Sequence, residues 1–101
     1  MRESDEQCRQ KVVILREGLR AASKRNGIAL SGGASNKDLL SSVQRLISTS
    51  EGVEYVERLN AGWHEEYRQL VQCIGRATHH EFDVEANPHE VISSITKQRG
   101  A

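Results

Sequence analysis

The spacing of its apolar residues constrains this chain more than any other feature. Almost throughout, they recur at intervals of three and four, and alternation at two is essentially missing. An α-helix turns once in about 3.6 residues, so such spacing lays one apolar stripe along a helix, whereas a half-buried strand needs a period of two. A chain built this way must bury helical stripes against one another.

The first stripe is Cys8, Val12, Leu15, Leu19 and Ala22, predicting a helix over about Ser4 to Arg25. Asn26-Gly27 stops it, since both residue types tolerate the left-handed conformation at a helix end. In the loop "GIALSGGASN", Gly32-Gly33 excludes regular structure, and Ser35 or Asn36 caps a second helix. That helix buries Leu39, Leu40, Val43, Leu46 and Ile47 and frays in "STSEG". The third pattern is the longest, from about Glu51 to Thr78, with Val53, Val56, Asn60, Trp63, Tyr67, Leu70, Ile74 and Ala77 on one stripe. Gly62 and Gly75 lie inside it, each costing a helix about 1 kcal/mol against alanine. Trp63, on the main stripe, is expected in the core where this helix meets the first two. A fourth helix starts at Asn87-Pro88, carries Val91, Ile92 and Ile95, and ends near Gly100. The expectation is a single all-α domain over residues 1–101: a small antiparallel three-helix bundle with a short fourth C-terminal helix.

Composition agrees with a small globular domain. Of 101 residues, 37% are apolar before the 8 glycines are added, which argues against disorder throughout. The only aromatics are Tyr55, Trp63, Tyr67 and Phe82, so the core must rest on Leu, Ile and Val. The N-terminal "MRESDEQCRQ" has no apolar stretch of the kind a secretory signal needs, and the longest aliphatic run is Val12 to Leu15. A soluble intracellular protein is therefore expected. Cys8 and Cys73 both fall at apolar helical positions and read as buried thiols. In an up-down-up bundle their levels differ by roughly 20–25 Å along the axis. A disulfide needs Cα atoms within about 7 Å, so none is expected between them.

Chemistry-bearing motifs are sparse. "RATHHEFDVEANPHE" (residues 76–90) holds three of the four histidines. His79 and His80 are adjacent, so on a helix they diverge by about 100°. His89 lies nine residues beyond His80, and no HExxH spacing occurs. The stretch reads as a joint between helices, with histidines at a helix C-terminus and Phe82 and Val84 pinning a connector to the bundle. His64 is followed by Glu65 and Glu66, which would repel a phosphoryl group, unlike the lysine and glycine typical of histidine phosphotransfer domains. No nucleotide-binding glycine motif or nucleophile elbow is present. "SGGAS" reads as a flexible connector. No catalytic, cofactor-binding or metal-ligating residue is assigned, and the protein is read as a non-enzyme.

Charge is neutral in total but unevenly placed. Residues 9–45 hold eight basic and two acidic residues, a net of +6, whereas residues 46–101 hold five basic and nine acidic, a net of −4. Arg9, Arg16, Arg20, Lys24, Arg25 and Lys37 are thus candidate contacts for a partner or for nucleic acid. Residues 15–47 also resemble a SAP-type helix–extended loop–helix module. The shared features are Gly27-Ile28 after the first helix, a Ser-Gly turn, and then Lys37, Leu39, Leu40, Arg45 and Leu46. The resemblance implies DNA or chromatin binding. It covers about a third of the chain, which departs from the pattern in a longer first helix and a loop extended by "GGASN".

Helices 1 and 3 carry more apolar positions than a minimal three-helix core uses. Val13 and Ile14 flank one seam; Tyr55 and Val71 flank the other. These four are candidate partner-facing residues. The expected function is a helical protein–protein interaction module, self-associating or a subunit of a larger assembly. The alternative is nucleic-acid binding through the basic segment 9–45.

Overall fold

Local capping chemistry sets the helix boundaries in the computed structural model, which describes residues 3–49 and 54–100. There are four helices, α1 (Asp5–Arg25), α2 (Asn36–Leu46), α3 (Trp63–Thr78) and α4 (Pro88–Gly100), and no strand among the described residues. Ser4 opens α1 with a capping box: its hydroxyl accepts from the Gln7 amide while the Gln7 side chain accepts from the Ser4 amide. Past the α1 C-cap at Asn26, Gly27 takes a φ of 78°. Ser35 caps α2 through the Asp38 amide. The Asn87 side chain accepts from the His89 amide ahead of α4.

The third helix is the main departure from the sequence expectation. It starts at Trp63, not near Glu51, and residues 54–62 are not helical. Asn60 adopts a φ of 63°, a left-handed geometry that a right-handed helix cannot pass through. Gly62 is the N-cap, outside the helix interior where it would have been costly. Of the expected stripe, Val53 lies outside the described residues. Val56, Leu59 and Trp63 are exposed, at 54%, 96% and 37%. The expectation of a core tryptophan is therefore corrected. As the first residue of α3, Trp63 lies beyond the point where neighbouring helices cover the stripe.

From Tyr67 onward the stripe is buried. Tyr67, Leu70, Val71 and Ile74 meet Val12, Leu15 and Leu19 of α1, Leu39, Leu40 and Val43 of α2, and Val91 and Ile95 of α4 in one core, and Ala77 is buried as well. α4 is thus an integral layer that packs on all three other helices. Cys8 and Cys73 are buried and not joined in a disulfide, and Cys73 donates to the Glu54 carbonyl. Burial pushes the Cys73 thiol above its usual range. No helix among the described residues is long and apolar enough to cross a membrane.

Side-chain contacts fix relative direction. Asp5 lies beside Gly62, and the Lys11 ammonium sits 4.7 Å from the centre of the Tyr67 ring. α1 and α3 therefore run in the same sense. Lys11 also donates to the Glu85 carbonyl, and Gly18 abuts Ile92, so α4 shares that sense. Two consecutive helices can run the same way only if the chain between them doubles back. The connector 79–87 does this along α3. The His80 amide donates to the Gly75 carbonyl, and the Tyr67 hydroxyl donates to the Ala86 carbonyl at 2.6 Å. A Cβ at Gly75 would stand 2.5 Å from the His80 carbonyl oxygen, so the return path needs a glycine there.

Candidate partner-binding surface

The residues named from sequence divide into those turned inward and those left at the surface. Val71, expected to face a partner, is only 1% exposed, and that expectation is corrected. It belongs to the core cluster shared with α1, α2 and α4, which widens the buried face of α3 beyond its main stripe. Tyr55 is half-buried and packs against the core. Val13 and Ile14 remain exposed, at 45% and 39%.

The basic segment divides in the same way. Arg9 pairs with Glu6 at 2.6 Å and Arg20 with Glu17 at 2.9 Å, each one turn apart on α1. The hydrogen bond from Arg9 holds the Glu6 carboxyl below its ordinary range. Arg16 is half-buried and donates to the Asn36 side-chain oxygen and the Ala34 carbonyl. It serves to tie the 26–35 loop and the start of α2 to α1. Lys24, Arg25 and Lys37 are exposed.

Around Arg16 lies a polar junction between α1, α2, α3 and the segment before α3. Asn36 is buried, with its oxygen committed to Arg16, and its side chain favours the ionised forms of Tyr55 and Glu66. Desolvation raises the Glu66 carboxyl above the usual range, against the lowering pull of Arg16 and Asn36. Desolvation likewise raises the Tyr55 phenol. This junction anchors the segment that follows.

That segment, residues 54–62, is held to α3 at intervals. The Cys73 thiol reaches the Glu54 carbonyl, the Gln69 side chain accepts from the Val56 amide at 2.9 Å, and Arg58 approaches Glu65 at 3.7 Å. Glu65 is held below the usual carboxylate range by its hydrogen bond from Arg68. A main-chain bond from Ala61 to Arg58 closes the turn. On this fixed backbone, Val56, Leu59 and Trp63 face water. The sequence places Val56 and Trp63 on the stripe of one long helix. The available signal was "NAG" at residues 60–62, a left-handed residue followed by a glycine cap, which could have divided the pattern.

The histidines of residues 76–90 serve the helix joint. His79 ends α3 with a φ of 56°, and the His80 and Phe82 rings lie 4.4 Å apart at 49° beside shallow surface clefts. Among the described residues no three His, Cys, Asp or Glu side chains are grouped to hold a metal ion. Comparison of the chain with protein-family models, with curated proteins and with solved structures finds no match.

Proposed function

We propose that this chain is a non-catalytic helical interaction module whose partner-binding surface is the segment 56–63. The observation that carries the reading is Leu59, 96% exposed on a backbone anchored at Glu54, Val56 and Arg58 and flanked by exposed Val56 and Trp63. Single exposed apolar residues are ordinary. Three within eight residues, on a segment already fixed in place, form a contact surface with little ordering entropy left to lose on binding. An antiparallel course of α2 against α1 and α3 belongs to the same proposal, as does an intracellular setting. Nucleic-acid binding is the weaker reading, because Arg16 is committed within the chain and Arg9 and Arg20 each stand beside an exposed carboxylate that would repel phosphate.

A photo-crosslinking side chain at position 59, compared with one at exposed Gln72, tests the reading in cells producing the full chain. Discrete protein adducts are expected from position 59 and not from position 72. Equal yields from the two positions would remove the case for this surface.

A further inference from the structure

One face of α1 carries Glu6, Arg9, Val13, Glu17 and Lys24, all exposed, together with half-buried Arg20, whose guanidinium lies beside Gly32. At 100° per residue all six lie within about 40° of Val13 on the helical wheel. Each charged pair on this face is satisfied within the chain only in part. The Arg9 and Glu6 side chains keep 44% and 61% of their surface exposed, and Arg20 and Glu17 keep 37% and 62%. The charge order about Val13 is self-complementary under reversal. Glu6 stands seven residues before Val13 and Arg20 seven after it; Arg9 stands four before and Glu17 four after.

We infer that α1 binds α1 of a second copy, antiparallel, about a two-fold axis at Val13. In that register Glu6 faces Arg20 of the second copy, Arg9 faces its Glu17, and the two Val13 side chains meet on the axis. Each intrachain pair then becomes half of an alternating four-charge square, and symmetry supplies the square twice. A parallel pairing in register sets like charges opposite one another at every step, which specifies direction. The chain's zero net charge leaves no overall repulsion between copies. The contact is one helix face about 30 Å long with a single central apolar residue, the small end of specific interfaces. The dimer therefore forms at high protein concentration and dissociates as salt screens exposed charges beyond about 10 Å at 0.1 M. This surface is independent of segment 56–63, and Leu59→Asp leaves the dimer unchanged.

Two double variants give a decisive test, because each keeps its pairs within α1. One carries Glu6→Arg with Arg9→Glu; the other carries Glu17→Arg with Arg20→Glu. Alone, each places like charges opposite one another across the axis, so sedimentation at low salt should show self-association weakened about tenfold or more. Mixed, the two restore every opposite-charge contact and should form a heterodimer about as readily as the unaltered protein forms its homodimer. Circular dichroism confirms that both remain helical. As a geometric check, Val13→Cys should oxidise to an interchain disulfide in high yield, because a residue on a two-fold axis faces its own copy. An unaltered protein that stays monomeric at every concentration overturns the inference. So do double variants that self-associate normally, or a mixture that fails to associate.

Discussion

Residues 54–62 and 63–78 carry the same apolar spacing, yet only the second stretch is a helix. In the second, Tyr67, Leu70, Ile74 and Ala77 are buried against three other helices. In the first, Val56 and Leu59 keep the period but face water. A short isolated helix is marginal in water, and burial of its apolar face supplies most of its stability. Without a helix to bury against, the left-handed Asn60 and the Gly62 cap decide the backbone instead. Periodicity therefore states where a helix could bury a face. Whether it does depends on a neighbour that the periodicity does not contain.

Substitutions on the two stretches should expose this difference, most strongly at Tyr67. Its ring is 2% exposed, lies under the Lys11 ammonium and holds the Ala86 carbonyl through its hydroxyl. Tyr67→Ala should cost about 3–5 kcal/mol in chemical denaturation, as large-to-small core changes do. Leu59→Ala should stay within about 0.5 kcal/mol, and Trp63→Ala should fall well below the core value. Equal losses at positions 59 and 67 would mean that the first stretch is buried after all.

Gly75→Ala should have an intermediate effect and separates helix propensity from tertiary contact. Propensity alone favours alanine by about 1 kcal/mol. The added methyl meets the His80 carbonyl oxygen, a backbone atom, so a net loss of about 1–3 kcal/mol is expected. A stabilised variant would show that the connector does not lie against α3.

The smallest effect concerns the junction that anchors the first stretch. The folded-state pKa of Glu66 is raised by burial, so folding favours its protonated form. That contribution is fully present below the ordinary carboxylate pKa and is lost as pH rises through the raised value. At neutral pH, Glu66→Gln should therefore be slightly more stable than the unaltered protein, by less than about 1 kcal/mol given its partial exposure. The advantage should shrink as the solution is acidified through the carboxylate range. A variant less stable at neutral pH would instead mean that attraction to Arg16 and Asn36 outweighs desolvation.

Much of the architecture was legible because it is local. The α1 stripe of Cys8, Val12, Leu15, Leu19 and Ala22 is buried in full, and Ser35 and Asn87-Pro88 open α2 and α4 as read. Capping bonds span three or four residues, and a stripe repeats within one turn, so the amino-acid order states both directly. The candidate surface was legible only in part. Val13 and Ile14 are exposed as expected, whereas Val71, Trp63 and Arg16 lie where the reading did not place them.

What tertiary structure alone decided was the path of the connectors. The connector from His79 to Asn87 folds back along α3 through the Gly75 and Tyr67 contacts, and the loop after α1 brings Ala34 and the start of α2 at Asn36 back to Arg16. Each of these contacts joins residues separated by a doubling-back of the backbone. Their energy depends on how whole elements dock, and no spacing within a single helix encodes that. The sequence by itself determined four helices and the faces they could bury. Docking determined which faces were covered, and so which apolar residues stayed exposed.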